Sequence, residues 1–223
     1  MDLSILSRLN ELRAKREPAI LATNTENGKQ TLYSTPSLPV DEPLKEEVQK
    51  RFLSGKSGYV GNVFLAAYLP SPRLVLIGAV HISQHIVGPA MEAGFDVTVI
   101  DPRTAFASAE RFPNVTLHAE WPDEILKDKP LDAYTALAAL THDPKIDDIP
   151  ISAALAADCF YVGALGSRKT HGKRLARLKE QGVSEEALSR IDAPIGLNIG
   201  ASNPAEIAIA VLGQIIATLR GVK

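Results

Sequence analysis

Arg73-Leu74-Val75-Leu76-Ile77-Gly78-Ala79-Val80-His81-Ile82-Ser83 is the stretch that decides the fold. Leu74 to Ile77 is apolar throughout, as in a strand buried on both faces, and Gly78 follows at once. Ile82, Ile86 and Ala90 then recur every four residues, the apolar face of a helix that stops near Gly94. Downstream, Val97 to Ile100 is a second strand ending at Asp101. Val115 to Leu117 is a weaker third, Ala136 to Leu140 a fourth and Phe160 to Val162 a fifth. Ile151 and Leu155 mark one helix, and Arg168 to Glu180 another, closed by Gln181-Gly182. The last helix starts most clearly, with Asn203 as cap, Pro204 at the first position and Glu206 three after the cap. Apolar strands alternating with helices give an α/β fold, a Rossmann-like doubly wound parallel sheet over residues 71–223. Ligands of such sheets bind where the loops leave the carboxyl ends of the strands.

Residues 1–70 read differently, as a small α+β N-terminal domain. Leu6, Leu9 and Leu12 predict an amphipathic helix ending near Pro18. Ala19 to Thr23 and Thr31 to Ser34 flank Asn27-Gly28, a hairpin pattern. Pro36, Pro39 and Pro43 form a stiff connector, Leu44 to Phe52 a short helix and Val63 to Leu69 a further strand. So short a unit buries little apolar surface alone. A homodimer is expected, to cover its apolar face.

Composition narrows the function. The 223 residues are 45% hydrophobic and 22% charged, ordinary for a globular chain. Twenty-four Lys and Arg against 26 Asp and Glu leave a net charge of -2, so no nucleic-acid partner is expected. Cys159 is the one cysteine, which excludes an internal disulfide and a CxxC pair. No apolar run approaches the roughly 20 residues of a membrane span, and the first residues do not resemble a signal peptide. The expectation is a cytoplasmic protein with no membrane partner.

Four strand-end loops carry polar chemistry. Gly78-Ala79-Val80-His81 sits where a GxGxxG fingerprint would, but Val80 and Ser83 replace its second and third glycines. A valine there obstructs close approach of a pyrophosphate, and the helix N-terminus still offers amides to an anion. Asp101 stands at the position of the acid that accepts from an adenosine ribose, and Arg103 could meet a 2′-phosphate instead; a simple turn accounts for both equally well. In the loop from Thr141 to Asp147, His142 could serve as acid or base and Asp143 could orient it. Asp143 before Pro144 is equally a capping pattern. Gly163-Ala164-Leu165-Gly166-Ser167-Arg168 opens a helix as an anion cradle without a Walker A sequence. Residues 167–179 hold six of the 24 basic residues and no acid. Arg168 and Lys169 oppose the helix dipole there, a conflict a bound phosphate would remove. The histidines show no metal-ligand spacing, and no metal held directly by side chains is expected. Cys159 begins an apolar strand and reads as a buried small hydrophobe.

The pieces PSPRLVLIGAVHISQ, LTHDPKIDD, YVGALGSRKT and IDAPIGLNIGASNPAEIAIAVLGQI, in that order, resemble the XdhC/CoxI family of xanthine dehydrogenase accessory proteins. The resemblance covers about residues 62–220. It implies a C-terminal Rossmann domain and a chaperone role. Such a protein binds molybdenum cofactor, assists its sulfuration and delivers it to an apo molybdenum hydroxylase, with a cysteine desulfurase as a further partner. Thr141, His142, Asp143, Gly163, Gly166, Ser167 and Arg168 match the family pattern. The first loop, usually GAGH, keeps His81 and departs at Val80. Residues 24–34 lack the family's GSSPR-like segment and no cysteine precedes Cys159, which implies a shortened first domain and argues against sulfur transfer through its own thiol.

These residues support three functions. The first is an accessory protein whose Rossmann domain binds molybdopterin, molybdenum cofactor or a nucleotide. Gly166, Ser167 and Arg168 would cradle its phosphate, and Gly78, Ala79, His81, Asp101 and Arg103 would line the crevice. The second is an NAD(P)-dependent oxidoreductase with His142 as acid. The third is a non-catalytic adaptor with a degenerate cofactor site.

Overall fold

The computed structural model describes residues 3–34 and 42–222. Pro36 and Pro39 of the expected connector lie outside them. The chain divides into two compact units, Met1–Pro70 and Ser71–Lys223.

The first unit holds α1 (Leu3–Ala14), β1 (Ala19–Asn24), β2 (Gln30–Tyr33), α2 (Glu42–Ser54), β3 (Gly58–Val60) and β4 (Val63–Tyr68). The strands form an antiparallel sheet in the order β2-β1-β4-β3, with Ile20 opposite Tyr33 and Ala67. Alternation along β1 sends Ile20 and Ala22 towards Val48 and Phe52 of α2, while Ala19 packs with Leu9 and Leu12 of α1. The strand β3 was not legible in the sequence, because Gly58-Tyr59-Val60 is short and exposed enough to read as loop.

The second unit runs β5 (Arg73–Ile77), α3 (His81–Glu92), β6 (Asp96–Ile100), β7 (Thr116–His118), α4 (Pro122–Asp128), β8 (Thr135–Ala139), α5 (Pro144–Ala156), β9 (Tyr161–Ala164), α6 (Arg168–Glu180), α7 (Glu185–Leu188), β10 (Ile191–Asp192) and α8 (Pro204–Leu219). All strand pairs are parallel, in the order β10-β9-β8-β5-β6-β7. In chain order that is 3-2-1-4-5-6 read from β7, the arrangement of dinucleotide-binding sheets, with its switch point between β5 and β8.

Period-two alternation along β5 builds the two cores. Leu74 and Leu76 face Ile86 of α3 and Val211 and Ile215 of α8. Val75 and Ile77 face Ile146, Ile151 and Leu155 of α5 and Leu178 of α6. With helices on both faces, strands with no polar side exposed are the ones that fit. Truncating a fully buried leucine such as Leu76 to alanine costs about 2–5 kcal/mol. Among the described residues no helix is long and apolar enough to cross a membrane.

Two boundaries move. The helix α5 starts at Pro144, so the loop expected to run to Asp147 ends at Asp143. The side chain of Asp143 accepts from the Lys145 amide at 2.9 Å, and proline at the first position lacks the amide that would go unpaired. Gly163 lies inside β9 rather than at the start of a loop. Its missing side chain leaves room for Ile195, whose Cδ1 lies 2.7 Å from where a Cβ would stand.

Candidate functional site

The strand order sets the loops after β5, β8 and β9 side by side. A Cβ on Gly78 would stand 2.8 Å from Cγ2 of Thr141, and Gly78 has φ +112, so only glycine fits there. Ser83, which replaces the third fingerprint glycine, is buried, and its hydroxyl donates to the Gly78 carbonyl. A Cβ on Gly166, at φ +139, would meet Thr170 at 3.2 Å and Nδ1 of His142 at 3.7 Å. Gly78, Thr141, His142 and Gly166 thus converge at one edge.

Around Gly78 the peptide groups are committed. The Ala79 amide donates to Oδ2 of Asp101 at 2.7 Å, and the Ala79 carbonyl accepts from Nη1 of Arg111 at 3.0 Å. Arg111, which the sequence reading did not single out, also reaches the Phe106 carbonyl at 2.7 Å. Asp101 is buried, and Arg103 donates to it from its amide and Nε at 2.9 Å and from Nη2 at 2.7 Å. Burial alone would raise the Asp101 carboxyl. The Arg103 guanidinium and the Arg103 and Ala79 amides outweigh burial and hold it below the usual range. In this arrangement Asp101 is satisfied from within the loop, with no oxygen turned to a ribose, and Arg103 is occupied with Asp101. Val80 caps α3 without a side-chain hydrogen bond and is packed against the core, and His81 is exposed at the helix start.

On the β8 side, Thr141 donates from its hydroxyl to Oδ1 of Asp147 at 2.7 Å and accepts from the Asp143 amide at 3.0 Å. Burial pushes the Asp147 carboxyl up to about 6, against the Thr141 hydroxyl and the Arg174 charge, which pull it down. His142 is exposed and holds a left-handed backbone at φ 64. On the β9 side, Ser167 caps α6 by accepting from the Thr170 amide at 3.2 Å. Arg168 and Lys169 follow in the first turn, exposed and without an ion-pair partner among the described residues.

The sequence reading missed one part of this edge. A cavity of about 450 Å³ opens beside Arg168, lined by Leu165, Ile195, Leu197, Ile199 and Ile207. Its wall is the segment 194–201. The Gly196 amide donates to Oε1 of Gln214 at 2.7 Å, and the Tyr161 hydroxyl donates to the same oxygen at 2.7 Å, which ties the segment to β9 and α8. The signal was Gly196 and Gly200 among exposed apolar residues just before the Asn203 cap. Among the described residues no three His, Cys, Asp or Glu side chains group so as to hold a metal ion.

Residues 74–215, which include this edge, match the family described as the XdhC Rossmann domain. The chain belongs to that family. Over 160 residues it is 39% identical to "Uncharacterized protein YqeB" of Escherichia coli (strain K12), across 70% of this chain and 29% of that protein. It is 31% identical over 162 residues to a probable subunit of xanthine dehydrogenase from Bacillus subtilis (strain 168), across 72% of this chain and 47% of the other. It is 31% identical over 160 residues to "Molybdenum cofactor insertion chaperone PaoD" of Escherichia coli (strain K12), across 72% and 44%. The chain therefore spans less than half the length of these curated relatives. A crystal structure described as a xanthine dehydrogenase from Bacillus halodurans superposes with a TM-score of 0.67 at 22% identity, over 100% of this chain and 66% of that one, a likeness of fold. Gly78, Thr141, His142, Gly166, Ser167 and Arg168 all lie within the matched XdhC Rossmann domain.

Proposed function

We propose that this XdhC-family chain assists the maturation of a molybdenum hydroxylase, holding the phosphorylated pterin cofactor as cargo at the edge formed by β5, β8 and β9. The observation that carries the reading is the pairing of Arg168 with the cavity beside it. Arg168 has no ion-pair partner among the described residues and stands in the first turn of α6, where the dipole disfavours a cation and an anion would offset the cost. The adjoining cavity of about 450 Å³ falls within the roughly 300–1,000 Å³ common for small-molecule sites and is largely apolar. A charged head beside a mostly apolar slot fits a phosphorylated heterocycle. Molybdopterin carries a phosphate and its dinucleotide form a pyrophosphate.

In this reading Gly166, Ser167 and Arg168 hold the phosphate, and Leu165 with the segment 194–201 covers the ring system. Thr141 and His142 border the same edge and supply polar contacts. Bound there, the cargo would bring its own molybdenum and dithiolene sulfur, and this chain's part is to bind, orient and shield it. The names of two relatives, one a subunit of xanthine dehydrogenase and the other a cofactor-insertion chaperone, support the reading. The commitment of Asp101 to Ala79 and Arg103 favours a pterin over the ribose of NAD(P). The expected partner is an apo-hydroxylase, with a cysteine desulfurase and a second copy of this chain as further ones.

The test is reconstitution. Apo-hydroxylase is incubated with molybdenum cofactor, with and without the full chain. Faster or fuller activation with the chain, lost in Arg168→Ala, supports the proposal. Equal activation with and without it refutes it.

A further inference from the structure

We infer that Asp147 and Arg174 are positioning residues for the proposed cargo edge: as one buried pair they fasten the loop after β8 to the loop after β9. Their role towards the cargo rests on the maturation reading, whereas the fastening stands on hydrogen bonds and burial alone.

Asp147 lies in the first turn of α5 and Arg174 inside α6. Their side chains are only 1% and 2% exposed, with Nη2 of Arg174 3.8 Å from Oδ2 of Asp147. Each partner also reaches one strand-end loop. Oδ1 of Asp147 accepts from the Thr141 hydroxyl at 2.7 Å and from the Thr141 amide at 3.4 Å. Nη2 of Arg174 donates to the Leu165 carbonyl at 3.1 Å. The connection Thr141–Asp147–Arg174–Leu165 thus runs from one loop to the other through the interior. At one end Thr141 stands against Gly78. At the other, Leu165 lines the cavity beside Arg168 and directly precedes Gly166-Ser167-Arg168.

Fold stability does not account for this pair. For each partner burial outweighs the attraction of the other, so the Asp147 carboxyl is pushed up and the Arg174 guanidinium down. Oδ2 of Asp147 and Nε and Nη1 of Arg174 are buried without a hydrogen-bond partner. A buried ion pair with unmet hydrogen bonds does not repay its desolvation, and apolar side chains of similar size often replace one with no loss of stability. Nor is the pair needed to join α5 to α6. Arg177 does that by donating to Asp148 from Nε and Nη2 at 2.6 and 3.1 Å. What Asp147 and Arg174 add is a hold on each loop.

The experiment replaces the pair in the full chain, Asp147→Leu with Arg174→Met, which leaves the net charge unchanged. Amide hydrogen exchange is read at Leu165, which donates to the Ala139 carbonyl at 2.8 Å, and at Asp143, which donates to the Thr141 hydroxyl at 3.0 Å. Both should exchange about tenfold faster, while the amides of β5 and β8 and the urea midpoint keep their wild-type values. Released molybdopterin should bind about tenfold more weakly. Asp147→Asn with Arg174→Met restores an acceptor for Thr141, so Asp143 should return to its wild-type rate while Leu165 stays fast. This second variant carries the test alone if the first does not fold. Wild-type exchange at both loops overturns the inference. So does acceleration of loops and strands together with a lower urea midpoint, the result of a merely structural pair. Faster loop exchange with unchanged molybdopterin affinity overturns the positioning role. A wild-type chain that does not bind molybdopterin refutes the maturation reading instead, and loop-selective exchange then still upholds the fastening.

Discussion

Asp101, at the end of β6, holds the loop after β5 in place: its Oδ2 accepts the Ala79 amide at 2.7 Å across 22 residues of chain. The same carboxylate is gripped by three donors of Arg103. The acid that would accept from a ribose in a dinucleotide-binding sheet here closes a hydrogen-bonded loop. Asp101→Asn replaces one acceptor with a donor facing other donors. It is expected to destabilise the fold by about 2–4 kcal/mol, at the lower end because Arg103 is partly exposed. Urea denaturation measures this, and a change below about 0.5 kcal/mol, the range of an ordinary surface substitution, would contradict the role.

Gly78 and Thr141 set a second expectation. A Cβ at Gly78 would lie 2.8 Å from Cγ2 of Thr141, at a φ of +112 that side chains resist. Gly78→Ala should cost about 1–3 kcal/mol, from strain and crowding together. Adding Thr141→Ser removes the methyl and keeps the hydroxyl that Asp147 accepts. The double variant should therefore recover part of the loss, and a double-mutant cycle reads the coupling. Strictly additive effects would show that the two residues do not press on each other.

Asp147 makes stability depend on pH. Burial pushes its carboxyl from 3.8 to about 6 in the folded chain, so the folded state holds the proton more tightly than the unfolded one. Its contribution is fully present below pH 3.8 and is lost as pH rises through 6. The loss is roughly 3 kcal/mol, because each tenfold difference in proton affinity is worth about 1.4 kcal/mol. Asp147→Asn keeps an acceptor for Thr141 and removes the titration. The difference in urea midpoint between wild type and variant should move in the variant's favour from pH 4 to 7. A constant difference would rule out the buried, proton-holding carboxyl.

Cys159 should be chemically quiet. Burial pushes its thiol up to about 12. At pH 8 its thiolate fraction, and so its alkylation by iodoacetamide, should fall on the order of a thousandfold below that of a free thiol. Reaction at the rate of glutathione would contradict this and reopen a sulfur-transfer role for the residue.

The sheet was legible because its strands are apolar on both faces, a pattern short surface strands cannot show. Leu74 to Ile77 and Val97 to Ile100 declare themselves, while the two-residue β10 at Ile191 and the short helices α4 and α7 do not. The caps at Asp143 and Asn203 were readable for a local reason, since a side chain bonding an amide two or three residues on needs no tertiary context. The site was only half readable. The sequence marks Gly78, Thr141 and Gly166 as strand-end loops, and the strand order brings them together. That Asp101 turns inward to Ala79, that Arg111 seals the same loop and that Arg174 is buried with donors to spare depend on contacts between distant segments. No local pattern carries them.

The most direct measurement of the central claim is thermal denaturation of the full chain with and without released molybdopterin, beside the Arg168→Ala variant. At a hundredfold excess over the dissociation constant, binding to the native state should stabilise the wild type by about 2.7 kcal/mol. The expected result is an upward shift for the wild type that shrinks or vanishes in Arg168→Ala. No shift in the wild type, or the same shift in both proteins, would contradict a cofactor held at the edge beside Arg168.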